Sequence, residues 1–351
     1  MGWWMNPRRS CSRAGCDWSP RHSRAPGKSG PALARLRLYG VDDFRLYHRY
    51  QMSIRLEMLQ VARLAPKLLG ESAGLVANFF RRQQNADGGF KDRAGGSDLY
   101  YTVFGLEGLR ALEIHNSAAT VETLAGVEKY LRTFGGGAGL DFVHLCCLAR
   151  CWAALPADRL PAETRQEMLR GLERHRTADG GFNQIAGQPS GTAYGCFLAV
   201  AAHQDLPVML PNPARLAQCL KFLETPDGAW ANERGLKTGS TNATAATITL
   251  LRNLPAPVLP TAGDWLLARV HAGGGFLAAP GAPIPDLLST ATALHALAGL
   301  PRDLSSVKER CLDFIDTLWT NEGGFHGHWG DDDLDCEYTY YGLLALGHLS
   351  L

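Results

Sequence analysis

The sequence lacks several features that would assign it to a specialised class of protein. It has no run of about 18 uncharged apolar residues, which is the length that a membrane-spanning helix needs. Its nine cysteines fall mostly within apolar helical stretches, without the paired spacing of a zinc module or a disulfide framework. We therefore expect a cytoplasmic protein with reduced thiols and no membrane span.

A strong net charge is also lacking. The 351 residues are 46% hydrophobic and 20% charged, with a formal net charge of +1, as in an ordinary soluble globular protein. Residues 1–51 hold ten Lys or Arg against three acids, whereas residues 52–351 hold 25 against 31. Because the body of the chain is mildly acidic, we expect no nucleic-acid partner.

The first 51 residues have no continuous apolar segment of the kind found in a signal peptide. They mix Arg, Pro, Ser and Trp without a helical or strand period. We interpret residues 1–51 as a basic segment that is either disordered or an over-extended translation start ahead of Met52. Residues 52–351 are then expected to form one domain.

A short turn motif recurs through that domain. Its clear copies are NADGGF (85–90), TADGGF (177–182), TPDGAW (225–230), HAGGGF (271–276) and NEGGF (321–325). The closing aromatics are separated by 92, 48, 46 and 49 residues, and FGGGAGLD (134–141) supplies a degenerate copy inside the double-length gap. The spacing predicts six related units.

Each unit combines a helical pattern, a glycine-rich turn and a second, more apolar helix. The second helices DLYYTVFGLEGL (98–109) and DCEYTYYGLLAL (335–346) share Asp, Tyr, Thr, Gly and Leu at the same offsets. They are apolar on almost every face, so an outer layer of helices must cover them. We predict an all-α fold, an α/α toroid of six hairpins with twelve principal helices and a central cavity.

Aromatic residues at helical spacing accompany these inner helices. These residues are Tyr101, Phe104, Tyr194, Phe197, Tyr338 and Tyr341. We expect them either to line the cavity and bind an apolar ligand or to pack as ordinary core. Asp98 and Asp335 begin two of the helices, where a carboxylate accepts hydrogen bonds from free backbone N–H groups. Capping is therefore one role for these aspartates, and acid catalysis is the other.

The DGGF turns and the DxxYTxYGL inner helices resemble the prenyltransferase and squalene-cyclase repeat family. The length of a single toroid, from about 52 to 351, is most similar to the β subunit of protein geranylgeranyltransferase, of the type II kind. This resemblance covers nearly the whole domain. It implies a toroid that binds an isoprenoid or another apolar small molecule, and it leaves open a protein partner subunit.

The resemblance implies a zinc site that the sequence does not retain. In that family an Asp, a Cys two positions later and a His on the next inner helix bind zinc, which activates a thiolate. Asp286 matches the aspartate, but Leu288 and Tyr338 stand at the other two positions. The segment FLAAPGAPIPD (276–286), which matches the family's diphosphate clamp, has no Lys or Arg. We predict no cofactor and disfavour zinc-dependent protein prenylation.

The terpene cyclases of the same repeat family use a DxDD motif whose middle aspartate donates a proton. Here Asp333, Leu334, Asp335 and Cys336 give DxDC, so Asp335 and Asp333 are the candidate acid residues. Neighbouring carboxylates are expected to raise one another's pKa by like-charge repulsion. A metal site at His326, His328, Asp331 and Asp333 is an alternative for the same loop.

Three functions are consistent with these observations. The leading hypothesis is an isoprenoid-binding toroid, which includes a diverged transferase without zinc. The second is an acid-initiated terpene cyclase that uses Asp335. The third is a noncatalytic scaffold whose outer helices bind another protein.

Overall fold

The structure is a computed structural model that describes residues 52–112, 118–254, 256–300 and 302–351. The interpretation of residues 1–51 lies outside this part of the chain. Within the described residues, no helix is both long enough and apolar enough to cross a membrane.

Helices alternate along the chain between an outer and an inner layer. The two helices that precede the first hairpin are α1 (Ile54–Ala62) and α2 (Pro66–Leu69), with a 3-10 turn at Gly70–Ser72. The outer helices are α3 (Ala73–Arg82), α5 (Ala118–Arg132), α7 (Ala162–Glu173), α9 (Pro213–Lys221), α11 (Ala262–Leu267) and α13 (Ser305–Asp316). The inner helices are α4 (Leu99–Leu112), α6 (Phe142–Ala153), α8 (Ala193–Asp205), α10 (Thr241–Arg252), α12 (Leu287–Gly299) and α14 (Cys336–Leu349).

The six inner helices form a closed ring. Each packs against the next in chain order, and α14 packs against α4 to complete the circle. The predicted α/α toroid of six hairpins is therefore confirmed. Two short antiparallel hairpins lead into inner helices, β1 (Phe90–Lys91) with β2 (Ser97–Asp98) before α4, and β3 (Phe276–Leu277) with β4 (Pro285–Asp286) before α12.

The repeated aromatic of each turn ties the turn to its own inner helix. The Phe90 N–H donates to Thr102 Oγ1 at 2.9 Å, and the Phe276 N–H donates to Thr290 Oγ1 at the same distance. Trp230 and Phe325 make the equivalent bond to Thr244 and Thr339. The side chains of these aromatics are almost fully buried. The shared threonine of the repeats is thus a buried acceptor for a backbone donor that would otherwise have no partner.

In each clear turn the glycine two residues before the closing aromatic has a positive φ, as at Gly88 with φ 99°. A Cβ on Gly88 would lie 1.9 Å from the carbonyl oxygen of Gly126 on the next outer helix. Glycine is required there for two reasons, because the backbone is left-handed and because two segments of backbone touch.

Helix α1 lies across the C-terminal ends of the inner helices. The Arg55 guanidinium pairs with Glu107 near the end of α4 at 2.9 Å and approaches Asp205 at the end of α8 at 3.5 Å. The Glu57 carboxylate pairs with Arg252 at the end of α10. Helix α1 therefore closes one end of the ring with a buried polar layer, and the opposite end, at which the inner helices begin, is the open end of the ring.

Candidate functional site

The inner helices carry side chains that remain partly accessible although outer helices surround the ring. Tyr100, Tyr194, Phe197 and Tyr341 are each half-buried, whereas most of their neighbours on the same helices are buried. The partly accessible residues repeat at helical spacing, for example Asn242 and Ala246, and Tyr194, Phe197 and Leu198. They therefore mark the face of each helix that is directed towards the accessible centre of the ring.

Three aromatic rings from α4 and α14, those of Tyr100, Phe104 and Tyr341, form one wall of this centre. The Phe104 ring lies 5.5 Å from that of Tyr341 and 5.0 Å from that of Tyr100, measured between centroids. The ring of Tyr101 is 5.6 Å from that of Tyr100 and is directed into the protein, with 6% of the residue exposed. Of the six aromatic residues predicted from the sequence, the structure thus brings together Tyr101, Phe104 and Tyr341.

Tyr194 and Phe197 lie on α8, which stands opposite α14 in the ring of six. Burial raises the pKa of the Tyr194 hydroxyl, and the charge of Glu337 on α14 adds to the effect. The two aromatic walls therefore face each other across the centre. Tyr338, by contrast, lies at the head of α14, with the Arg93 guanidinium 5.5 Å above its ring. Its part in ligand binding stays a prediction.

Glu337 is a buried acid that the sequence analysis did not select. Only 2% of the residue is exposed, and the Tyr100 hydroxyl donates to its Oε1 at 2.6 Å. Burial raises the pKa of Glu337 to about 8, and the nearby charge of Asp335 contributes. The carboxyl is therefore mostly protonated at neutral pH. The signal in the sequence was a single acid within a helix that is otherwise apolar on nearly all faces.

Asp335 is the N-cap of α14. Its Oδ1 accepts the Tyr338 N–H at 2.8 Å, and its Oδ2 accepts the Arg93 Nε–H at 2.8 Å. Burial raises the pKa of this carboxyl more than the Tyr338 amide and the Arg93 guanidinium lower it. The predicted capping role is present, and the side chain is also a buried acid at the open end of the ring.

Arg93 changes the expected electrostatics of the acidic loop. Its guanidinium pairs with Asp331 at 3.0 Å and with Asp333 at 3.3 Å, in addition to Asp335. Burial opposes ionisation of Asp331, but the hydrogen bond and charge of Arg93 outweigh it and lower the pKa of that carboxyl. The expectation of mutual repulsion among these carboxylates is therefore wrong for Asp331, because a cation 238 residues earlier in the chain lies between them.

Arg93 also completes the ring. At the open end, the first N–H groups of inner helices bond to the loop of the next unit, as in Ala193 N–H to Asn232 O and Leu287 N–H to Gly327 O. Between the last unit and the first, Arg93 and Asp335 form the connection through their side chains. The acidic loop therefore has a structural function as well as a chemical one.

A second charged group lies at the open end, at the head of α6. His144 Nε2 is 3.1 Å from Asp98 Oδ2, and His144 Nδ1 is 2.9 Å from Asp141 Oδ2. The Asp98 hydrogen bond, aided by Asp141, raises the pKa of His144 to about 9 against the effect of burial. The imidazole is therefore a cation at neutral pH that both aspartates hold in place.

The residues at the expected zinc position do not fit a zinc ion. The Asp286 carboxylate accepts hydrogen bonds from the Ser289 N–H and the Ser289 hydroxyl, each at 2.7 Å, so both of its oxygens serve as a helix cap. Leu288 offers no donor, and Tyr338 stands where the family has histidine. Within the described ranges, no cluster of three or more His, Cys, Asp or Glu residues has a metal-binding arrangement.

The histidines of the acidic loop have other partners. His326 Nδ1 lies 3.1 Å from the Asp333 carbonyl oxygen, and His328 Nδ1 accepts the Gly330 N–H at 3.1 Å. The Asp331 carboxylate is held by Arg93 and the Gly327 N–H. The loop is thus organised by internal hydrogen bonds.

Comparison with known families agrees with this geometry. The prenyltransferase alpha-alpha toroid domain matches residues 56–127, 132–274 and 261–350. The chain belongs to this family. No curated protein matches the sequence of this toroid.

Solved structures similar to this toroid include both cyclases and a transferase. A variant of the type II terpene cyclase MstE from Scytonema, in complex with its product merosterolic acid A, has a TM-score of 0.56 at 17% identity, covering 81% of this chain and 97% of the cyclase. Protein geranylgeranyltransferase-I from Candida albicans, complexed with GGPP, has a TM-score of 0.57 at 14% identity, covering 79% and 90%. A protein from Actinoplanes has a TM-score of 0.52 at 15% identity, covering 80% and 98%. At these identities the likeness shows the fold of the toroid.

Proposed function

We propose that this toroid binds an isoprenoid chain in the centre of its inner ring. The observation that carries the proposal is the pair of facing aromatic walls, Phe104 with Tyr341 on one side and Tyr194 with Phe197 on the other. Tyr341, Tyr194 and Phe197 are partly accessible although they lie on enclosed helices, and the buried Phe104 packs against Tyr341. An elongated apolar ligand would cover them and remove them from water.

The free energy available from such burial is large. At about 0.8 kcal/mol per methylene, a chain of fifteen to twenty carbons offers an upper limit on the order of 12–16 kcal/mol before the costs of ordering and desolvation. Binding therefore does not require a diphosphate clamp. This matters because the segment from Phe276 to Asp286 has no Lys or Arg.

Structurally similar proteins support an isoprenoid as the ligand. The Scytonema cyclase has been observed with geranylgeranyl dihydroxybenzoate as substrate, at 15% identity and a TM-score of 0.54. The Candida albicans transferase was observed with GGPP. Both ligands contain a geranylgeranyl chain, which is the kind of ligand that we propose for this toroid.

Isothermal titration calorimetry with farnesyl and geranylgeranyl compounds tests the proposal. We expect saturable binding of one molecule per toroid. Ala246 is half-buried on the inner face of α10, so Ala246→Trp should fill the centre and abolish binding. Val121, with 63% of the residue exposed on outer helix α5, provides the matched control Val121→Trp. Absence of saturable binding to the unaltered protein, or equal binding by the Ala246→Trp variant, would remove the proposal.

Acid-initiated cyclisation is a second candidate, and a specific observation favours it. Two carboxyls with raised pKa values, Asp335 and Glu337, lie at the open end of the ring next to the aromatic wall. A protonated carboxyl can donate its proton to an alkene or an epoxide. The Scytonema cyclase aligns with this ring over 97% of its own length, so that cyclase also consists of little more than one such ring.

Turnover of a polyprene or its terminal epoxide by the variants tests this candidate. Asp335→Asn should abolish conversion if Asp335 is the acid, whereas Asp333→Asn should reduce it only partly, because the Asp333 side chain is 61% exposed. Unchanged turnover in the Asp335→Asn variant would exclude Asp335 as the acid.

Three further points remain proposals. A protein partner subunit, a scaffold function of the outer helices and a cytoplasmic location each follow from the sequence pattern or the family. Native mass spectrometry of freshly purified protein would report bound lipid, bound metal and oligomeric state together. A stoichiometric protein partner would support the first two, and a monomer with lipid in the ring would count against the scaffold function.

A further inference from the structure

We propose that Glu337 and Tyr100 form a polar anchor that binds an uncharged oxygen atom of the ligand, such as a hydroxyl, a carbonyl or an epoxide. The preferred ligand would then be a non-ionic, oxygenated isoprenoid. This inference rests on the proposed isoprenoid binding. It specifies which end of the ligand the protein recognises.

The position of the pair follows from helix geometry. Glu337 and Tyr341 are four residues apart on α14, and Tyr100 and Phe104 are four residues apart on α4, so each pair shares one helix face. The two faces meet twice, through the 2.6 Å hydrogen bond between the Tyr100 hydroxyl and Glu337 and through the Phe104 and Tyr341 rings at 5.5 Å. The polar contact therefore lies one helical turn nearer the open end than the aromatic contact.

This arrangement places a hydrogen-bonding group at the end of an apolar wall. A chain that packs on Phe104 and Tyr341 would bring its terminal atoms next to Glu337. A neutral carboxyl has one oxygen that accepts the Tyr100 hydroxyl and one O–H that remains a donor. Because burial favours the neutral form of Glu337, that donor is present at neutral pH and suits an oxygen acceptor on the ligand.

The charges around the anchor disfavour an anionic ligand. Asp335 lies two residues away on the same chain and contributes negative charge, while the Arg93 guanidinium is shared among three carboxylates. A diphosphate at this position would approach Asp335, while Arg93 is already paired with three carboxylates and the other cation of the open end, His144, is paired with Asp98 and Asp141. A neutral oxygen meets no such repulsion.

Calorimetric titration with matched twenty-carbon probes tests the anchor. The probes are geranylgeraniol, the corresponding hydrocarbon without the hydroxyl, and geranylgeranyl diphosphate. We expect the alcohol to bind about tenfold more tightly than the hydrocarbon, as one well-placed hydrogen bond allows, and more tightly than the diphosphate.

The double variant Tyr100→Phe with Glu337→Leu removes both partners of the anchor, and replacement of both by apolar groups is the change that a buried pair tolerates best. It should bind the hydrocarbon like the unaltered protein and lose the preference for the alcohol. The control Tyr340→Phe removes a buried hydroxyl on the same helix and should keep the preference.

The possible outcomes separate the two proposals. Equal binding of alcohol and hydrocarbon by the unaltered protein, tighter binding of the diphosphate, or an unchanged preference in the double variant would overturn the anchor and leave isoprenoid binding in place. Failure of all three probes to bind would overturn isoprenoid binding itself, and the anchor with it.

Discussion

Replacement of Arg93 by alanine should destabilise the toroid more than its surface position suggests. The Arg93 side chain is 31% exposed, but the Asp335 side chain that it pairs with is only 2% exposed. After Arg93→Ala, the Asp335 carboxylate keeps the hydrogen bond from the Tyr338 N–H and loses its cation. The side-chain link that Arg93 makes between the last unit and the first is lost as well.

The expected loss of stability lies between the loss caused by breaking a surface ion pair and that caused by breaking a buried one. Removal of one partner of a fully buried pair costs about 3–5 kcal/mol, and exposed pairs contribute about 0–1 kcal/mol. With one partner buried and the other about a third exposed, we expect a loss of about 2–3 kcal/mol in the free energy of unfolding. For a domain of this size that corresponds to a fall of about 5 °C in Tm.

Urea unfolding at pH 7 and pH 4 measures the effect. In the Arg93→Ala variant the pKa of Asp335 should rise further, so the carboxyl becomes neutral on acidification. The penalty is therefore present at pH 7 and shrinks towards pH 4. Adding Asp335→Asn should recover about 1 kcal/mol or more at pH 7, because the unpaired charge is then absent.

Arg234→Ala is the matched control. The Arg234 side chain is 35% exposed and pairs with Asp179, which also accepts hydrogen bonds from backbone N–H groups of Gly181 and Gly191. Asp179 therefore stays satisfied, and the loss should be below about 1 kcal/mol. A loss below about 0.5 kcal/mol for Arg93→Ala, or no recovery in the double variant, would refute the reasoning.

Two other predictions concern the turns and the closed end of the ring. Gly88→Ala should lower the free energy of unfolding, measured with urea, by more than about 3 kcal/mol, because the new Cβ would meet backbone at 1.9 Å. The control Gly95→Ala, with φ 89° and open space around it, should lower it by about 1–2 kcal/mol. Equal losses would contradict this explanation. Burial lowers the pKa of His295 to about 4 and also lowers that of His348, whose Nε2 is 3.0 Å from His295 Nδ1. Both imidazoles are neutral when folded, so stability should be complete above pH 6.5 and fall as the pH drops. His295 alone should contribute a loss of roughly 3 kcal/mol towards pH 4, at about 1.4 kcal/mol per pH unit, and His348 should add to that loss. The double replacement of both histidines by leucine should flatten this pH profile, and a profile that keeps its slope would exclude them as the cause.

The fold was predictable because its determinants repeat locally. Glycine at a positive φ, a threonine that accepts a turn N–H and an aspartate that caps a helix each act within about 15 residues of chain. Their fixed spacing therefore appears directly in the sequence. Six such units imply a ring, since every inner helix is apolar on nearly all faces.

The features that the sequence analysis missed depend on contacts between distant residues. Arg93 lies 242 residues from Asp335, and Tyr100 lies 237 residues from Glu337. Neither pair has a periodic pattern, and each becomes apparent only when the ring closes. The same holds for α1, whose Arg55 contacts Glu107 and Asp205 at the ends of two inner helices.

The most direct measurement is a crystal structure of the toroid with geranylgeraniol bound. The account predicts continuous density for the isoprenoid chain between the Phe104 and Tyr341 wall and the Tyr194 and Phe197 wall, with its hydroxyl next to Glu337. A ring centre filled by the protein's own side chains, with the alcohol absent or bound on the outer helices, would contradict it.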